Sequence, residues 1–135
     1  MTEPIVIGLN ENKWLQDATT KMITLGFSTI SGSSITDTLN DLSLGTAYQI
    51  PAGKKLIILN ISVQSWSNAN LTRELWISPT VNSRTGIMIF NTVYSHEFHK
   101  STPVYIEAAA SQYINFYCNA GDTMEIYLTC IETGT

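Results

Sequence analysis

Residues 55–66 read Lys-Leu-Ile-Ile-Leu-Asn-Ile-Ser-Val-Gln-Ser-Trp, and this stretch decides the fold class. Successive side chains of a strand point to opposite faces, so Leu56 and Ile58 fall on one face of an extended segment. The other face carries Ile57 and Leu59, and strict alternation adds Ile61 and Val63 to it. Apolar side chains on both faces are typical of a central strand in a layered sheet. Ile58 is therefore predicted to lie in the core, as is Ile126 of the last apolar segment.

Turn signals flank this strand on both sides. Pro51 and Gly53 precede it, and the polar run 67–70 follows it. Further apolar segments alternate with turns along the whole chain. The predicted strands are 4–9, 21–30, 55–66, 71–78, 86–94, 103–107, 111–118 and 123–131, the last two forming a hairpin. About eight strands without helical patterns between them predict an all-β, antiparallel sandwich or barrel.

The length of 135 residues predicts a single domain over 1–135. Within it the regular strand pattern is confined to residues 46–131, which we interpret as the core of the fold. Residues 1–45 are predicted to supply an N-terminal arm or edge strands and a loop. The turn-rich stretch 31–41 is the expected loop.

Charge is scarce in this sequence. Charged residues make up 13% of the chain, hydrophobic residues 44%, and the formal net charge is −4. Nucleic-acid binding requires a cationic stripe, and the longest cationic run is Lys54-Lys55, so neither nucleic acid nor an anionic membrane is expected as a partner. We also expect no signal peptide and no transmembrane segment, because no apolar run has the required length and flanks.

The two cysteines are predicted to be free and buried. If 111–118 and 123–131 form a hairpin, Cys118 and Cys130 are separated by about 20–25 Å along the strands, at about 3.3 Å per residue. A disulfide spans no more than about 7 Å between Cα atoms. Both thiols then act as small apolar side chains.

No catalytic or metal motif stands out. His96 and His99 are three residues apart, so on a strand they point to opposite faces, and we interpret them as loop histidines rather than metal ligands. The eleven acidic residues are scattered without an evident catalytic pair. We predict no enzyme activity, no catalytic residues, no metal and no cofactor.

Trp14, Trp66 and Trp76 are the candidate contact residues. Exposed aromatic rings stack on sugars or anchor protein interfaces. The alternative for each of them is packing in the core. We predict a role in an interface or in ligand contact.

Two segments resemble a known class of protein module. Ile50-Pro51-Ala52-Gly53-Lys54-Lys55-Leu56 leads into a long apolar strand, and residues 116–123 lead into a terminal strand. This style of turn and strand, over about residues 46–131, resembles jelly-roll capsid decoration (cement) proteins and head-fibre or tail-fibre domains of tailed bacteriophages.

The resemblance implies a jelly-roll β-sandwich and a non-enzymatic, homotrimeric virion protein made in a host cytoplasm. Its implied partner is the major capsid protein or another virion protein. A receptor- or carbohydrate-binding module of a fibre, or a lectin-like domain that binds a host surface glycan, is the alternative.

Overall fold

The computed structural model describes residues 20–29, 35–65, 71–94, 98–119 and 124–134, and within these ranges the regular structure is entirely β. The strands are β1 Lys21–Thr29, β2 Ile35–Thr38, β3 Asn40–Asp41, β4 Thr46–Ala47, β5 Lys54–Ser65, β6 Leu71–Ser78, β7 Ile87–Tyr94, β8 Phe98–Ala108, β9 Tyr113–Cys118 and β10 Met124–Gly134.

Two antiparallel sheets form a sandwich. The six-stranded sheet has the order β4-β3-β1-β10-β5-β8, and the four-stranded sheet has the order β2-β9-β6-β7. When the two-residue strands β3 and β4 are left out and the remaining eight strands are renumbered 1 to 8 along the chain, the two sheets have the orders 1-8-3-6 and 2-7-4-5. This is the order of a double Greek key, the jelly roll. The predicted fold class is confirmed.

β5 contains a bulge that changes the faces of its side chains. In the pairing of β5 with both β10 and β8, the partner residues pass directly from Ile58 to Asn60. Leu59 is therefore the extra residue, and the register shifts there. Ile61 and Val63 therefore join Leu56 and Ile58 in the core, so their placement beside Ile57 by strict alternation was wrong. A single extra residue reverses the parity of everything that follows it.

The core fills the space between the inner faces of the two sheets. Ile58 is fully buried and Ile126 is 2% exposed, which confirms their predicted place in the core. Fully burying such a side chain contributes roughly 1.5–3 kcal/mol. The largest apolar side chains that are fully buried are those of Leu25, Leu39, Ile50, Leu56, Ile58, Ile61, Leu75, Ile114, Phe116, Met124 and Leu128.

The predicted hairpin of the last two strands is wrong. β9 pairs with β2 and β6 in the four-stranded sheet, whereas β10 pairs with β1 and β5 in the six-stranded sheet. Both cysteines are nevertheless free and buried, as predicted. They lie in different sheets, with Cys118 opposite Arg73 and Cys130 opposite Ile58, so the argument from distance along one hairpin does not apply.

The first 45 residues contribute strands to both sheets. β1 lies between β3 and β10, and β2 forms one edge of the four-stranded sheet. The stretch predicted as a loop thus contains β2 and β3. The Ser, Thr, Asn and Asp residues of this stretch are common in loops, which is why a loop was predicted. Thr38 and Leu39 are nevertheless buried in the folded protein. The predicted strand 4–9 lies outside the described residues.

Candidate interaction surfaces

The outer face of the six-stranded sheet is broad and carries little charge. Tyr105 of β8 is 66% exposed, Tyr127 of β10 is 41% exposed and Met22 of β1 is 57% exposed. Asn60 and Ser101, on adjacent strands, exchange side-chain hydrogen bonds of 3.0 and 3.2 Å. Aromatic, thioether and neutral polar groups thus dominate this face.

The carboxylates on this face are engaged by its tyrosines. The Tyr127 hydroxyl donates to Glu125 Oε2 at 2.7 Å, and the Tyr105 hydroxyl donates to Glu107 Oε2 at 3.1 Å. Each hydrogen bond favours the protonated phenol and raises the pKa of its tyrosine above 10.0. The tyrosines therefore present neutral rings, and part of the acidic charge is satisfied locally.

The outer face of the four-stranded sheet carries a compact charged cluster. Arg84 binds Glu74 through both carboxylate oxygens, with Nε to Oε1 and Nη2 to Oε2 distances of 3.0 Å. Its guanidinium carbon lies 3.6 Å from the centroid of the Tyr117 ring. Trp76 Nε1 donates to Glu74 Oε1 at 2.9 Å. Glu74 is only 8% exposed, so the cluster joins the β6–β7 connection firmly to the sheet.

The same connection also covers Asn115, which is fully buried on β9. Asn115 Nδ2 donates to the carbonyl oxygens of Thr80 and Ser83 at 2.8 and 2.9 Å. Its Oδ1 accepts a hydrogen bond from the Thr38 hydroxyl at 2.6 Å. One amide side chain thus joins β2, β9 and the loop 79–86.

Arg73 and Glu132 are centres of further polar contacts inside the sandwich. Arg73 is 1% exposed and donates to the Ser65 hydroxyl at 2.8 Å. The Tyr48 hydroxyl donates to Glu132 at 2.8 Å, and Lys21 Nζ approaches the same carboxylate at 3.8 Å. Burial, followed by the contact with Glu132, raises the pKa of Tyr48 far above 10.0. These groups are committed to internal contacts.

A shallow notch of about 330 Å³ lies at the end of β8. It is lined by Lys55, Glu107 and the alanines 108–110, and the Lys55 and Glu107 side chains form an ion pair of 3.3 Å. With one ion pair and small apolar walls, the notch offers little for selective binding.

Of the three predicted contact residues, Trp76 lies within the described ranges. Trp76 is half-buried and its indole nitrogen is bound to Glu74, whereas Trp14 and Trp66 lie outside the described residues. Their role in contacts stays a prediction. The cluster of Glu74, Arg84 and Tyr117 was missed, because no sequence pattern shows that the loop 79–86 folds back over β6 and β9.

Of the two histidines, His96 lies outside the described residues. His99 is exposed on β8, 3.4 Å from the Ser62 hydroxyl. Within the described ranges no three His, Cys, Asp or Glu side chains are grouped to hold a metal ion. Nor do those ranges contain a helix long and apolar enough to span a membrane.

Topology and surface together define a jelly-roll sandwich with a broad, weakly charged outer face. No protein-family model matches the sequence, and no curated protein matches it.

Among solved structures, the chain is similar to three from viruses. The virus-like particle of the prawn Macrobrachium rosenbergii extra small virus is 15% identical, with 84% of this chain and 77% of that chain covered and a TM-score of 0.43. The capsid of Helicobacter pylori bacteriophage KHP30 is 11% identical, with 86% and 88% covered and a TM-score of 0.49. The Tobacco streak virus coat protein is 6% identical, with 87% and 88% covered and a TM-score of 0.48. At these values the similarities assign no activity or partner, and the strand order defines the fold.

Proposed function

We propose that this chain is a non-enzymatic structural protein of a virion, and more narrowly a capsid decoration (cement) protein that binds the outer surface of a capsid and stabilises it. The observation that carries the proposal is the outer face of the six-stranded sheet, with Tyr105, Tyr127 and Met22 exposed among neutral polar groups. Protein interfaces are enriched in Tyr and Met and depleted in Lys, Glu and Asp.

The size of this face suits a protein partner. Four long strands about 4.8 Å apart, each presenting about nine residues of 3.3 Å, offer roughly 19 by 30 Å, or about 600 Å². A specific interface of ordinary size buries about 800 Å² on each partner. Side chains that project beyond the sheet make up the difference.

Use of the charged groups supports a structural role over a catalytic one. Glu74 is bound to Arg84, Glu132 to Tyr48, and Glu125 to Tyr127. General acid–base catalysis requires titratable groups directed at a substrate in a cleft. Here the carboxylates contribute to the folded structure.

The proposed partner is the major capsid protein or another virion protein, and the proposed oligomer is a homotrimer located on the virion. The resemblance of residues 46–131 to decoration and fibre modules supports both. Trimers place three copies of the same contact face on one lattice position, which raises the overall affinity without new contacts.

The test is co-sedimentation with shells assembled from the major capsid protein encoded in the same genome, together with the thermal stability of those shells. We expect the wild-type chain to bind and to raise their melting temperature. A Tyr105→Ala/Tyr127→Ala variant should bind at least tenfold more weakly, because both rings are exposed on the proposed face. Leu44→Ala, at a residue that is 70% exposed on the turn after β3, is the matched control and should bind normally.

Absence of wild-type binding would contradict the proposal, as would equal binding by the tyrosine variant. If glycan screening instead finds a ligand whose binding depends on the tyrosines, the receptor-binding alternative replaces it.

A further inference from the structure

β7 is an edge of the four-stranded sheet whose protection is limited to one bulge, at Ile89. Among the described residues β7 pairs only with β6, so one side of its backbone faces outward without a strand partner. Free N–H and C=O groups along such an edge are a template for another strand, and proteins usually block them.

The other three edges carry features that oppose pairing. β4 has two residues, and β2 has four residues that include Asp37. β8 contains Lys100, Pro103 and Glu107, and proline cannot donate to a ladder. Short length, charge and proline are the usual protections of an edge strand.

β7 has none of these three features. Its sequence, Ile-Met-Ile-Phe-Asn-Thr-Val-Tyr, contains no charge and no proline over eight residues. Ile87 is 65% exposed and Met88 is 43% exposed. A bulge at Ile89, where Leu75 pairs with Phe90 and Trp76 with Met88, leaves Phe90–Tyr94 as the regular segment. Five residues are enough for a short antiparallel pair.

We infer that two copies of this chain pair through β7, antiparallel across a two-fold axis, so that two four-stranded sheets become one of eight strands. A second copy fits this edge because an uncharged strand paired with itself brings no like charges together. Antiparallel self-pairing is isologous, so the assembly closes at two copies per contact. This contact uses a different surface from the face proposed for the capsid, and the inference does not rest on the proposed function.

The experiment is the native mass of the full chain by light scattering, across a dilution series. We expect wild type to contain an even number of copies, and Asn91→Lys to have half that number. When Phe90–Tyr94 pairs with its own copy, the two-fold axis passes near Thr92, so the two introduced lysines lie close to it and repel, while an exposed substitution barely affects folding. Leu44→Lys is the matched control at another exposed residue and should keep the wild-type mass. Equal circular dichroism spectra and a cooperative melting transition in each confirm that all three chains are folded.

Hydrogen exchange locates the contact independently. Amides of residues 90–94 should exchange more slowly as the concentration of wild type rises, and the lysine variant should lose this dependence. A wild-type monomer at every concentration overturns the inference, and so does a lysine variant of unchanged mass. A trimer indifferent to the lysines overturns it while leaving the proposed trimer intact. A dimer dissociated by the lysines supports it and contradicts the trimer, whereas a hexamer reduced to trimers supports both.

Discussion

At the scale of single residues, burial determines the chemistry of Cys130. Its thiol lies in the core on β10, opposite Ile58 of β5 and Ile23 of β1. Removal from water disfavours the thiolate and raises the pKa of Cys130 from 9.0 to about 12. The unfolded chain therefore loses this proton at a lower pH than the folded chain.

The sign of the pH dependence follows from that difference. The contribution of Cys130 to stability is complete below pH 9 and is lost as the pH rises towards 12, by at most about 1.4 kcal/mol per pH unit. Cys130→Ala has no proton to lose at this position. The difference in unfolding free energy between wild type and Cys130→Ala should therefore shift against wild type between pH 8 and 10.5, as measured by urea denaturation. A difference that is constant with pH would show that the thiol is solvated.

The same residue shows what sequence reasoning can and cannot provide. Separation of the two cysteines along a presumed hairpin predicted that both thiols are buried and free, and the structure confirms that outcome. The supporting geometry was wrong, because a turn such as Asn119-Ala120-Gly121 suits a hairpin and a crossing between sheets equally well. Periodicity reports which residues face inward but not which sheet a strand joins.

At the scale of elements, the connection between β6 and β7 is the least predictable part of the described fold. β6 was predicted with correct bounds, Leu71–Ser78, because Leu71, Leu75 and Ile77 share a parity and Pro79 ends the strand. The loop after β6 places Arg84 in contact with Glu74, and its Thr80 and Ser83 carbonyl groups accept hydrogen bonds from Asn115. Such contacts depend on how the loop folds back over the sheet, which local sequence does not encode.

We predict that Asn115→Ala costs about 2–4 kcal/mol of unfolding free energy. The substitution removes three buried or part-buried hydrogen bonds: the Thr38 hydroxyl loses its acceptor and keeps only the bond from Asn82 N, and the Thr80 and Ser83 carbonyls lose the Asn115 amide as donor. Asn60→Ala is the control, because Asn60 also bonds a side chain, Ser101, but on the outer face of the six-stranded sheet. It should cost less than about 0.5 kcal/mol. Urea denaturation measures both, and equal costs would contradict the proposed role of the loop contact.

At the scale of the whole molecule, the fold depends on strands that are far apart in sequence. β10, the last strand, pairs with β1 over nine residue pairs from Lys21–Glu132 to Thr29–Met124. Ile23 and Leu25 of β1, together with Leu39, belong to the same core as Leu128. The regular pattern over residues 46–131 suggested a core in that region alone, because strong periodicity there contrasts with the polar stretch before it. Pairing across the full chain cannot be read from the periodicity of either part.

We therefore predict that a fragment of residues 46–135 does not fold. Without β1, β2 and β3 it loses one strand from beside β10, one edge of the four-stranded sheet, and core side chains worth roughly 1.5–3 kcal/mol each. Marginal stability of about 5–15 kcal/mol for a domain cannot absorb that loss. The expected result is no cooperative thermal transition in circular dichroism, whereas the full chain melts cooperatively.

A complementation control separates loss of strands from a general failure to refold. Residues 1–45, added as a separate chain, should restore part of the β signal and a cooperative transition, because they supply β1, β2 and β3 to the edges left open. The same 1–45 chain carrying Leu25→Asp should not restore the cooperative transition, because the substitution would place a charge in the core beside Leu128. Cooperative melting of residues 46–135 alone would contradict the prediction and establish them as an independent folding unit.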